Sequence, residues 1–185
     1  MRALSFIFVF TSLMSFTLPA QDSELKIPTK QLSKFFEKGY VLEVVSIPNN
    51  LHKLSEGTYY HVTHPTNLAT NAYVYIGRVK TCRAGGCNIQ NTSSNGNSEY
   101  FDYFIIYNHY LVIQSVSIYD YQATHGYEMT NSTWLKQFKG YDGTKELVYG
   151  EDIDAIAGAT ISGNAALADI EHKTKLLKQI SAKKL

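Results

Sequence analysis

Two apolar runs, from Tyr100 to Tyr107 and from Tyr110 to Tyr121, flank the pair Asn108-His109, and no other feature restricts the fold of this chain as much. Both runs are rich in β-branched and aromatic residues, which suit the half-buried surface of a pleated sheet, and the pair between them predicts a two-residue hairpin turn. Side chains alternate along a strand. In the second run Tyr110, Val112, Gln114, Val116 and Ile118 therefore share one face, and Leu111, Ile113, Ser115, Ser117 and Tyr119 share the other. Apolar residues on each side mean that both faces are partly covered.

Further elements surround this hairpin. Thr58–Thr63 and Ala72–Val79 predict paired strands across the polar loop Pro65–Asn71, with Gly77 marking a bulge or a close approach. Tyr40–Ile47 is rich in Val and Leu and predicts a buried strand that ends at Pro48-Asn49-Asn50, after a helix from Pro28-Thr29 to about Lys38 that Gly39 stops. Thr130 or Ser132 can cap a short helix through Phe138, with Trp134, Leu135 and Phe138 at core spacing. A last helix from about Ser162 to about Ile180 carries the stripe Ala165, Leu167, Ile170, Leu176, Leu177 and Ile180. The lysines crowding its end suit the negative pole of the helix dipole and read as a solvated terminus. These patterns predict a single α+β domain, a twisted antiparallel sheet with helices packed on one face. Most of the 14 tyrosines are expected to cover half-buried sheet surface with their hydroxyls wet.

The chain has 185 residues and a formal net charge of +1, a balance with none of the basic excess of a nucleic-acid binder. Met1–Ala20 reads as a secretory signal: Arg2, an apolar run from Ala3 to Leu18, then Pro19-Ala20. The expectation is export with cleavage after Ala20, an uncleaved anchor being the alternative, and without a Cys near its end the leader offers no lipid attachment. The mature chain, about 165 residues, is long enough for one compact domain. It divides into an N-terminal helix and strand region, 21–57, and a main part, 58–185. The only cysteines, Cys82 and Cys87, lie five apart around Gly85-Gly86. In an exported chain such a pair predicts a disulfide, with a redox-active pair as the rival reading. Two thiolates alone do not fill a tetrahedral metal site, and His61 and His64, three apart on a strand, point to opposite faces, so no metal site is expected.

The segment most suggestive of chemistry is Asp154-Ala155-Ile156-Ala157-Gly158-Ala159-Thr160-Ile161-Ser162-Gly163-Asn164. It sets the Thr160 hydroxyl after two very small residues, where a bulky group can approach the backbone. Ser162 or Gly163 then opens a helix whose free N–H groups and positive dipole end suit a phosphate. Taken alone, the turn is equally a helix cap.

These residues resemble the flavinylation motif of the FMN-binding domain family, which includes subunits of sodium-pumping NADH:quinone reductase and of ferredoxin:NAD oxidoreductase complexes. The resemblance implies that a separate flavin transferase esterifies the phosphate of FMN to Thr160. It places Asp154 on the acidic position of the motif, Gly158 and Ala159 on the small pair, Ile161 between, and Ser162 on the trailing hydroxyl position. Ala157 departs from the pattern, standing where the family has Ser or Thr. The likeness extends from about Thr58 to the last helix. It implies that the loop after the hairpin, with His125, Gly126, Tyr127 and Glu128, lies near the flavin, as do Tyr119 and Tyr121. The expected protein is a periplasmic or secreted electron carrier with covalent FMN, working with membrane or periplasmic redox partners. The chain shows no Ser-His-Asp set, phosphate-cradling Gly-rich loop or haem-type Cys pair, so catalysis by its own side chains is not expected. The competing expectations are a flavin-free module in which Thr160 only caps the helix, and a thiol-disulfide relay through Cys82 and Cys87.

Overall fold

A computed structural model of the chain describes residues 25–52, 57–67, 70–83 and 98–183. In order these form α1 (Thr29–Leu32), β1 (Val41–Val44), α2 (Asn49–His52), β2 (Gly57–Thr63), β3 (Ala72–Arg83), β4 (Ser98–Asn108), β5 (Ile113–Gln122), α3 (Ser132–Leu135) and α4 (Thr160–Ala182). Single 3-10 turns at Tyr127–Thr130 and Lys136–Phe138 flank α3. The fold is α+β. Its five strands form one antiparallel sheet in sequence order, β1-β2-β3-β4-β5. The leader, Cys87 and the polar run after it lie outside the described residues, and so does the predicted disulfide.

β4 is the axis of the molecule. Every residue from Phe101 to Tyr107 is buried, because layers cover both faces. On one face Tyr59, Tyr75, Phe101, Tyr103, Ile105, Tyr107, Ile113 and Val116 meet α3 and the Leu167, Ile170, Leu176, Leu177 and Ile180 stripe of α4. On the other, Val62, Val74, Ile76, Phe104 and Ile106 are covered by Leu32 of α1 with Phe36, Tyr40 and Leu42. Helices α3 and α4 thus share one face as expected, while the short N-terminal segment takes the opposite one. That first helix is a single turn rather than the predicted run to Lys38: the Ser33 hydroxyl donates to the Lys30 carbonyl at 2.9 Å, and the next N–H groups close tighter three-residue turns, Lys34 onto Gln31 at 3.2 Å and Phe35 onto Leu32 at 2.9 Å.

The hairpin differs from a two-residue turn. Tyr107 pairs with Ile113, and the Asn108 side chain accepts hydrogen bonds from the N–H groups of Tyr110 and Val112, both at 3.0 Å, with Leu111 held at φ +62°. The β4–β5 ladder is then irregular at two places: the register shifts between Ile106 and Tyr107, and again between Asp102 and Tyr103. Each extra residue flips the alternation. Ile113 and Val116 consequently face the same core, and Tyr119 points to the opposite side from Ile118 and Tyr121.

Four tyrosines contradict the expectation of wet hydroxyls. Tyr59, Tyr75, Tyr103 and Tyr107 are fully buried beneath α4. Tyr59 donates to the Lys173 carbonyl at 2.8 Å, Tyr103 to Asp169 Oδ2 at 2.5 Å, and Tyr107 Oη lies 3.2 Å from Thr174 Oγ1. A buried phenol left unpaired would cost about 1–3 kcal/mol, so these bonds register α4 on the sheet as well as cement it. Gly77, predicted as a close approach, pairs with Gly57 across the β2–β3 ladder, and the Tyr75 ring lies where a Cβ at either position would stand.

Candidate functional site

Residues 149–159 approach α4 as an irregular segment held from several sides. Trp134 Nε1 donates to the Asp154 carbonyl at 2.8 Å, and the Asp154 N–H donates to Gln137 Oε1 at 2.9 Å. Both main-chain groups of Asp154 are therefore gripped by the α3 region while its side chain is exposed. The Ile156 N–H donates to Tyr149 Oη at 3.0 Å, and the Tyr149 ring rests against Gly163, leaving no space for a Cβ there.

Burial along the motif alternates in threes. Ile153 and Ala159 are buried and Ile156 half-buried, whereas Asp154, Ala155, Ala157, Gly158, Thr160 and Ile161 are exposed. Gly158 sits at φ +79° with nothing within 4 Å of a Cβ position. An L side chain is disfavoured there by the backbone, and the space above the peptide is open. Thr160 is the first residue of α4. The helix N-cap is Ala159, without a side-chain cap, and the Gly163 N–H bonds to the Ala159 carbonyl at 2.7 Å. Among the described residues no side chain caps this helix start, so the reading of Thr160 as a cap is corrected.

The loop after β5 packs onto this point. Gly126, buried at φ +84°, lies so close to Ala159 that an added Cβ would be 3.1 Å from the Ala159 Cβ and 3.0 Å from Tyr121 Oη. Tyr121 donates to the His125 carbonyl at 2.5 Å. Burial pushes its phenol above the ordinary value, an effect partly offset by a hydrogen bond with Ser162. One tyrosine thereby joins the loop to the first turn of α4. Its ring stacks on Phe101 with centroids 6.0 Å apart and meets Tyr127 edge-on at 5.7 Å.

The structure thus brings together Thr160, Ala159, Gly158, Ser162, Gly126 and the His125 backbone, all singled out from sequence, with Tyr127 at the margin, 69% exposed. The side chains of His125, Glu128 and Ile161 are exposed. Tyr119 does not belong to the group: it stacks on Phe104 on the opposite face and donates to the Lys26 carbonyl at 2.9 Å, a consequence of the irregularity in β5. The helix cap preceding Trp134 is also corrected. Asn131 accepts from the Thr133 N–H at 2.8 Å, in place of Thr130 or Ser132. Gln137 and Tyr149 were not legible as site residues, since each acts on a backbone group distant in sequence.

His61 and His64 are separately engaged, the first 2.9 Å from Asn71 Oδ1 and the second 3.1 Å from the Lys38 carbonyl. Among the described residues there is no group of three potential metal ligands.

No curated protein matches the chain significantly. A family match does cover residues 101–171, from the start of the buried core of β4 through the first three turns of α4, and so includes the Gly126 loop, the Trp134 helix and Thr160. Over that stretch the chain is similar to FMN-binding domains, and FMN is the cofactor this match supports.

Proposed function

We propose that FMN is held as a phosphate ester on Thr160 and that the protein is an electron carrier working outside the cytoplasmic membrane. The observation that carries this reading is the setting of Thr160: exposed, first in a 23-residue helix and released from capping by Ala159. A hydroxyl with a structural duty would be buried; Thr160 is exposed, and the space above Gly158 two residues before it is open. The residues fit the group. Free N–H groups in the first turn of α4 suit the negative charge that a phosphodiester retains. Ala159 and Gly126 keep the approach narrow but unobstructed, and the Tyr121–Ser162 contact holds the loop against the helix start.

When bound, FMN supplies electron transfer in one- or two-electron steps, and the chain contributes binding, orientation and local charge. A covalent tether keeps the cofactor at a fixed effective concentration in a compartment where dissociated flavin is not easily replaced. The leader supports export, a transferase would attach the group, and the redox partners would be membrane-bound or periplasmic.

Intact mass spectrometry of the protein made with and without a flavin transferase tests the proposal. An FMN-ester increment that requires the transferase, persists in Thr160→Ser and vanishes in Thr160→Ala is the expected result. A polypeptide that never exceeds its amino-acid mass would refute the ester, and an increment retained in Thr160→Ala would refute its position.

A further inference from the structure

Six aromatic rings follow one another across the sheet face that carries α4. Tyr127 meets Tyr121 with centroids 5.7 Å apart, Tyr121 stacks on Phe101 at 6.0 Å, and Phe101 meets Tyr103 at 5.9 Å. Tyr103 then meets Tyr75 at 5.7 Å, and Tyr75 meets Tyr59 at 4.8 Å. Strand pairing sets them in line, with Tyr121 opposite Phe101 and Tyr59 opposite Tyr75. The join between Tyr75 and Tyr103 depends on a glycine: Gly77 is the residue opposite Tyr103, and the Tyr75 ring occupies the place of its missing side chain. The row reaches solvent at Tyr127, in the loop whose Gly126 packs on Ala159.

Ring contacts alone are ordinary core packing; the hydroxyls distinguish one member of the row. Tyr59 and Tyr121 donate to main-chain carbonyls, of Lys173 at 2.8 Å and of His125 at 2.5 Å, and a carbonyl is too weak a base to take a proton. Tyr103, fully buried in the middle of the row, donates to Asp169 Oδ2 at 2.5 Å. Lys173 Nζ, 3.5 Å from Oδ1, favours the ionised form of that carboxyl. A phenol that loses an electron becomes a strong acid, and an unpaired positive charge in an apolar core is costly, so a buried tyrosine is oxidised only with a base in hydrogen-bond reach. Asp169 also borders a groove between β3 and α4, beside Ala165, Ala168 and His172, which gives a transferred proton a way to water.

We propose that Tyr103 is a redox-active tyrosine: a strong one-electron oxidant at the exposed Tyr127 end draws an electron from Tyr103 along the intervening rings, while the Tyr103 phenol proton passes to Asp169. The O–H bond of Tyr103 breaks, an O–H bond forms on Asp169 Oδ2, the oxidant gains one electron, and a neutral tyrosyl radical remains in the core. Phe101 is too hard to oxidise to hold the charge, so the electron crosses it in one tunnelling step between Tyr103 and Tyr121. A one-electron reductant such as ascorbate reverses the step, and Asp169 returns the proton. The chain itself is thus an electron donor at the Thr160 pole, and this role does not depend on a group attached to Thr160.

Flash photolysis of ruthenium(II) tris-bipyridine with persulfate generates the ruthenium(III) oxidant beside the unmodified protein, and freeze-quenched electron paramagnetic resonance reads the product. The expected result is a tyrosyl signal that narrows when the tyrosines are ring-deuterated and falls severalfold in Tyr103→Phe. Tyr127→Phe, at an exposed position, should slow its formation severalfold. Asp169→Asn should lower its yield severalfold while circular dichroism keeps the parent form. In the parent the signal should form about twofold more slowly in deuterium oxide, a change that a purely structural bond would not produce. Tyr110, 72% exposed at the far hairpin, is the rival site of oxidation. A signal that persists in Tyr103→Phe and disappears in Tyr110→Phe, or the absence of any tyrosyl signal, would overturn the assignment. Equal rates in the two solvents would overturn it as well, and that measurement decides the matter if Asp169→Asn does not fold.

Discussion

At the residue scale, Thr160 and Gly163 stand three positions apart and have opposite sensitivities. Thr160 is exposed and does not cap its helix, so Thr160→Ala should alter unfolding free energy by no more than about 0.5 kcal/mol while abolishing the proposed FMN ester. Chemical denaturation of the unmodified protein measures the first effect and intact mass the second. Gly163 is buried against the Tyr149 ring, where any Cβ must displace the aromatic. Gly163→Ala should destabilise by about 1–3 kcal/mol, the usual range for overpacking, and should shift Tyr149 from its bond to the Ile156 N–H. A denaturation midpoint equal to that of the parent would show that Tyr149 yields freely. The small residues of the motif were legible in sequence because size and φ preference are local properties. That Gly163 is small to admit Tyr149 was not, since the two are 14 positions apart and meet only after folding.

At the scale of elements, α4 is held by apolar packing and by a buried polar row, and the two respond to different perturbations. Leu177 is fully buried in the helix stripe, so Leu177→Ala should cost about 2–5 kcal/mol, read from urea unfolding. The polar row responds to pH. Burial raises the Asp169 carboxyl above its ordinary value, against the opposing pull of Lys173 and Tyr103. A carboxyl with a raised folded-state pKa binds protons more tightly in the native than in the unfolded chain. Between the unfolded value, near 3.8, and the raised one, the native state therefore holds more protons, and stability falls as pH increases across that window. Asp169→Asn should remove this contribution, making stability versus pH less steeply falling above about pH 4 than in the parent; identical profiles would place the titration elsewhere. The long helix itself was predicted within two residues at each end, since its start and its core stripe are written in composition and spacing. The tyrosine hydroxyls that register it are not, because burial of a phenol depends on an acceptor supplied by another element.

For the whole molecule, the decisive feature is a sheet covered on both faces with β4 at its centre. The layer built on Leu32 shares β4 with the layer built on α4, through Phe104 and Ile106 on one side and Tyr103, Ile105 and Tyr107 on the other. Leu32→Ala should therefore destabilise the entire domain by about 2–5 kcal/mol in one transition, with tyrosine fluorescence and far-UV circular dichroism melting together. An early, separate loss of the N-terminal layer would instead mark it as an independent unit.

The amino-acid sequence by itself determined the α+β class, the antiparallel pairing of β2 with β3 and of β4 with β5, the terminal helix and the small-residue segment around Thr160. Each of these depends on periodicity or on the conformational range of single residues. Tertiary structure alone decided the longer hairpin loop with Leu111 at positive φ, the changes of phase that send Tyr119 and Tyr121 to opposite faces, and the contact of Gly126 with Ala159. One extra residue in a strand reverses every side chain beyond it, and a loop meets a helix 33 positions later only when the sheet beneath both has formed.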